Sequence, residues 1–83
     1  MPRYFFHTSD GGRDEDEVGV ELADAVAARR EAVRYSGSLV HDDPDILDAN
    51  SGLRVEVVDE KGRFCSAVLI QAVDAECAKR RAA

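Results

Sequence analysis

The stretch Arg3-Tyr4-Phe5-Phe6-His7-Thr8 constrains the fold most. It holds three of the chain's five aromatic residues, two Tyr and three Phe in all. An aromatic run of this kind favours a pleated strand. With a period of two, Tyr4, Phe6 and Thr8 share one face and Phe5 and His7 the other. Large side chains on both faces predict a strand covered on both sides. Asp10-Gly11-Gly12 then turns the chain, because glycine adopts positive φ at little cost. With 83 residues in all, there is room for one small domain with a thin core.

Asp14-Glu15-Asp16-Glu17 repels itself and reads as a solvated loop. In Gly19-Val20-Glu21-Leu22 the apolar residues alternate with Glu21, which suits a short edge strand returning to the first or an extended lead into a helix. Asp24 is a good N-cap. The helix is expected from about Ala25 to Val40. Ala25, Ala28, Ala32, Ser36 and Leu39 form its buried stripe, with Val33, Tyr35 and Val40 at the margins. A stripe so rich in alanine lets the helix axis lie close to a sheet. Asp42-Asp43-Pro44 ends the helix. The loop over 41–52 follows, with Ile46 and Leu47 as an apolar plug and Asn50-Ser51-Gly52 as a turn.

Leu53, Val55 and Val57 alternate with Arg54 and Glu56 in a strand over 53–59. Asp59-Glu60-Lys61-Gly62 closes a hairpin, and the return strand spans Arg63 to Val73. Its Phe64, Val68 and Ile70 are expected on one face and Cys65, Ala67 and Leu69 on the other. Being apolar on both faces, it is expected beside the first strand in mid-sheet. The architecture is therefore α+β, in β(β)αββ order: an antiparallel sheet of three to four strands with one alanine-rich helix packed on one face. Residues 1–73 form the single domain, and 74–83 a tail read as a short helix or a frayed end. One helix covers one face, so the other needs the tail or a second copy of the chain. The expectation is a homodimer with Tyr4, Phe5, Cys65 and Leu69 on its face.

With these elements placed, the chain resembles a bacterial family of short proteins of unknown function. The matching residues are the opening Arg3-Tyr4-Phe5-Phe6-His7, then Asp10-Gly11, then an acidic residue shortly before Gly19-Val20-Glu21-Leu22. Asp24, Ala28, Glu31 and Ala32 match in the helix, and Val55, Val57, Asp59 and Gly62 in the hairpin. The resemblance covers about residues 2–70, and its opening strand is the most specific part. It implies the fold order. It implies no activity, cofactor or catalytic residue.

Charge narrows the partner. Seventeen acidic against eleven basic residues give a net charge of −6, so phosphate backbones are repelled and no direct nucleic-acid binding is expected. A basic protein partner fits the sign better. The opening shows no leader-like apolar run, and no stretch is long enough to span a membrane. The expected setting is the cytoplasm, with Cys65 and Cys77 as reduced thiols.

His7 near Asp10 has the types for a general base or tuned proton acceptor, yet no nucleophile completes a set. The plainer reading is a sheet histidine beside a turn-capping aspartate. His7, His41, Cys65 and Cys77 are metal-ligand types without a short ligand spacing. Asp42, Asp43, Asp45, Asp48 and Asn50 offer oxygen ligands but fail the EF-hand pattern at Gly52 and Leu53. No cofactor or metal is therefore expected. The partner-binding candidates are Asp14, Glu15, Asp16, Glu17, Glu21, Asp42, Asp43, Asp45 and Asp48, whose plainer role is solubility. The leading reading is a small non-enzymatic protein–protein interaction domain. The alternative is an acidic inhibitor, of the phage anti-CRISPR or antitoxin kind, that mimics nucleic acid and blocks a basic partner. The third is a metal or enzyme module centred on His7 and Asp10.

Overall fold

The computed structural model describes residues 1–47 and 52–75. Three long strands, β1 (Arg3–Ser9), β4 (Leu53–Asp59) and β5 (Phe64–Ile70), form an antiparallel sheet with two short ones, β2 (Arg13–Asp14) and β3 (Val20–Glu21). Helix α1 (Ala25–Asp42) crosses one face, followed by a 3-10 turn at Pro44–Ile46. The strand order is β2-β1-β4-β5, with β3 also paired to β1. This is the expected α+β arrangement in β(β)αββ order.

The centre differs from the expectation. The first and last long strands are not neighbours: β4 lies between them and β5 is an edge. The reason lies in β4 itself. Leu53, Val55 and Val57 are at most 1% exposed, and Val58 is buried as well. The strand that buries most completely takes the middle, and its hairpin partner is left outside.

On the helix side, Phe6, Val57 and Ser66 form one cross-strand row, and Thr8, Val55 and Val68 the next. Tyr4, Ala28, Ala32, Leu53, Val55 and Val57 make the core, with Leu39, Val40, Ile46 and Leu47 packed on it. Burial pushes the Tyr4 phenol up, and Cys65, Asp24 and Asp59 push it the same way.

The opposite face carries the rows Phe5–Val58–Phe64, His7–Glu56–Ala67 and Ser9–Arg54–Leu69. Only the first is apolar throughout. Glu56 pairs with Arg54 at 3.1 Å and with Arg13 at 3.9 Å. Much of this face is thus polar and suited to water. A register shift at Val57/Val58 pairs Val57 with Ser66 and Val58 with Phe64, leaving Cys65 as the extra residue. Phe64 therefore joins the row of Val58, while Cys65 packs on the core with Val68 and Ile70. The alternation expected for this strand holds after the bulge and is reversed before it.

The helix forms as its sequence requires. Asp24 Oδ1 accepts from Ala27 N–H at 2.8 Å. Ala28, Ala32 and Ser36 are buried along one line, and Ser36 Oγ donates to the Ala32 carbonyl at 2.7 Å. Ala25, Val33 and Tyr35 are exposed. The helix runs to Asp42 rather than Val40, because the restriction imposed by Pro44 reaches back only to Asp43, whose backbone has left the helical region at φ −141° and ψ 85°. The tail expected over 74–83 lies outside the described residues from residue 76 onward. No helix among the described residues is long and apolar enough to cross a membrane.

Candidate functional site

A strand edge presents N–H and C=O groups that need partners. On the outer side of β1, β2 takes up Thr8 and Ser9, and β3 takes up Arg3 and Tyr4. Between them lies a gap, and Asp16 fills it. Its Oδ2 accepts from Phe6 N–H at 3.2 Å, and its Oδ1 accepts from Val18 N–H at 3.0 Å and Gly19 N–H at 3.1 Å. Its own N–H donates to His7 Nδ1 at 3.1 Å. The acidic run was expected to be wholly solvated. One of its four members instead folds inward, where three N–H donors compensate the carboxylate for lost water.

Burial alone would raise the Asp16 carboxyl. The N–H groups of Gly19, Val18 and Phe6 outweigh that and hold it below its ordinary value, with His7 acting in the same direction. Arg3 ties the loop down from the other side by donating to the Val18 carbonyl at 2.8 Å. Gly19 is required here. Its φ is +75°, and a Cβ would lie 2.9 Å from Arg3 Cγ, 2.9 Å from Phe5 Cε1 and 3.0 Å from the Tyr4 carbonyl oxygen.

The fastened loop and α1 enclose an open cleft of about 360 Å³. Phe6, Thr8 and Val20 come from the sheet, Asp14, Glu15 and Asp16 from the acidic run, and Glu31 and Tyr35 from the helix. Four carboxylates and two aromatic rings thus line it, with no basic side chain among them. Glu15 and Glu31 each meet an arginine outside the lining, Arg13 at 3.2 Å and Arg34 at 3.3 Å. Carboxylates beside aromatic faces suit a cationic group, and the volume suits a long basic side chain or a small amine better than a large ligand.

The expected partner-binding residues are divided by the fold. Asp14, Glu15 and Asp16 line the cleft. Glu17 is exposed in the same loop, and Glu21 in β3 pairs with Arg3 at 3.5 Å. Asp42 ends the helix, Asp43 caps it and Asp45 sits in the 3-10 turn. Asp48 lies outside the described residues. The two acidic segments are thus attached to different elements, one along the outer edge of β1 and one beyond the end of α1. Phe6, Val20, Glu31 and Tyr35 were not anticipated as site residues. The i, i+4 spacing of Glu31 and Tyr35 was the available signal, since it puts both on one side of the helix.

His7 meets Asp16 rather than Asp10, whose N–H donates to the Gly12 carbonyl at 3.1 Å. Nδ1 of His7 accepts the N–H of Asp16. Among the described residues no three His, Cys, Asp or Glu side chains gather as a metal site. Cys77, Asp48 and Asn50 of the weighed metal sets lie outside those residues. The four residues expected on one dimer face do not share a face. Phe5 and Leu69 are on the open side of the sheet, whereas Tyr4 and Cys65 pack toward the helix.

A family model described as a domain of unknown function, DUF6894, matches residues 3–71. No curated protein and no solved structure is significantly similar to the chain.

Proposed function

The chain belongs to the DUF6894 family, and from the geometry of this member we propose a non-enzymatic protein-interaction domain that receives a basic side chain of its partner. The observation that supports it is the cleft between the Asp16-fastened loop and α1, whose lining brings Asp14, Glu15 and Glu31 together with Phe6 and Tyr35. A lysine or arginine entering it meets carboxylates at its charged end and aromatic and apolar surface along its stem. This reading asks for one local contact, whereas the alternative, a nucleic-acid mimic, asks for an extended acidic ridge running across the two acidic segments, which belong to different elements.

The same domain is proposed to act in the cytoplasm and as a homodimer. Exposed Phe64 and Leu69, 61% and 68% accessible, support the second part.

The test is calorimetric titration of the full chain with a short peptide rich in lysine and arginine. The expected result is binding that weakens about tenfold between low and high salt. The combined variant Asp14→Asn and Glu31→Gln should weaken it by a similar factor. Equal weakening by Asp42→Asn and Asp43→Asn would show diffuse attraction to net charge and end the cleft reading.

A further inference from the structure

The two edges of this sheet are finished in opposite ways. The β1 edge is closed by two short strands and by the carboxylate of Asp16. It is also crowded with charge. The β5 edge has neither device. β5 pairs with β4 on one side, and no described residue pairs with its other side. From Phe64 to Val73 there is no charged residue, proline or glycine. Residues 71–75 are described and form no strand. Natural edge strands are ordinarily protected by lysine, proline, a bulge or shortness. Here the bulge is confined to the start of the strand at Cys65, and Ser66–Ile70 continues in regular register.

We infer that β5 is the interface of the homodimer, joining antiparallel to β5 of a second copy so that one sheet runs through both. This rests on the homodimer part of the proposal above and specifies its geometry. Three observations select a second copy as the occupant. The described strand itself, Phe64 to Ile70, offers no charge for a basic or acidic partner to recognise, whereas an identical strand brings an identical uncharged row. The net charge of −6 opposes self-association in general, but the Asp14–Glu17 run lies beyond β1 at the far edge of the sheet. Joining at β5 therefore keeps the two runs as far apart as this sheet allows. A two-fold axis at Val68 also sets Ala67 of one copy beside Leu69 of the other on the open face. The exposed leucine then covers the small alanine.

The experiment combines sedimentation equilibrium of the full chain, from roughly 1 to 500 µM, with amide hydrogen exchange at both ends of that range. The expected result is a doubling of mass together with new protection of alternate amides within Ser66–Ile70. Leu69→Glu should raise the dissociation constant by about tenfold or more. Leu69 is exposed and lies opposite Arg54, so the monomer's thermal melt should be unchanged. A dimer whose β5 exchange does not depend on concentration would overturn the edge pairing and leave the homodimer reading standing. A monomer throughout would end both. β5 amides already protected in the monomer would show that residues of the same chain cover the edge, which overturns the second copy as occupant.

Discussion

Asp16 serves β1 as a strand would, because its carboxylate oxygen accepts the Phe6 N–H where a neighbouring strand's carbonyl otherwise would. Two further N–H groups fix its other oxygen. Asp16→Ala leaves those donors without their acceptor and should cost about 1–3 kcal/mol in urea unfolding. The pH dependence follows from the lowered carboxyl. A depressed folded value contributes stability that is complete above the ordinary value of 3.8 and is lost as pH falls through the folded value below it. Asp59 acts in the same window. Arg63 N–H is the main cause of its lowered carboxyl; burial opposes it, and the Arg63 side chain and Lys61 N–H add to it. Asp16→Asn should therefore flatten part of the acid limb of a stability–pH curve and leave the part due to Asp59. Gly19→Ala combines positive φ with contacts at or below 3.0 Å and should cost about 1–3 kcal/mol. The same substitution at Gly37, where a Cβ meets nothing within 4 Å, should stabilise the helix by up to about 1 kcal/mol. The two variants together separate close packing from simple glycine flexibility.

Among the elements, α1 depends on small residues and on its cap. Ala28 and Ala32 are fully buried against the sheet. Ala32→Leu adds volume where none is free and should destabilise by about 1–3 kcal/mol, measured by chemical denaturation. Asp24→Ala removes the bond to Ala27 N–H and should cost about 1 kcal/mol. The helix was legible because period, cap and proline all agree on its position. The order of the long strands was less so. β1 and β5 each look apolar on both faces, and a single sequence gives no count of the neighbours each one has. The bulge at Cys65 was not legible either: Phe64-Cys65-Ser66 has no glycine to announce it, and one extra residue moves Phe64 to the open face.

Across the whole molecule, charge is arranged by the fold as well as by the composition. The acidic run is held along the β1 edge by Asp16, Arg3 and Gly19. The second acidic group follows the end of α1. Repulsion within the run is screened by salt. Raising salt from about 20 to about 200 mM at neutral pH should raise the thermal midpoint by a few degrees. A midpoint that falls would mean that the exposed ion pairs, such as Arg13 with Glu15, outweigh the repulsion. Of the candidate site, Asp14, Glu15 and Asp16 were visible in the sequence, and Glu31 and the apolar and aromatic part were not. Phe6, Val20 and Tyr35 come from three separate elements, and no local pattern connects them.

By itself the sequence determined where the three long strands and the helix lie, though not the short strand Arg13–Asp14 nor the end of β5 at Ile70 rather than Val73. It also determined the line Ala28, Ala32 and Ser36 that the helix buries and where the negative charge lies along the chain. These follow from local terms: side-chain period, capping, turn chemistry and charge count. The tertiary structure alone decided that β4 is central, that Asp16 turns inward and that β5 is left as the uncharged edge. Each depends on groups far apart in sequence competing for the same partners, as when Asp16 and Phe6, ten residues apart, share one hydrogen bond.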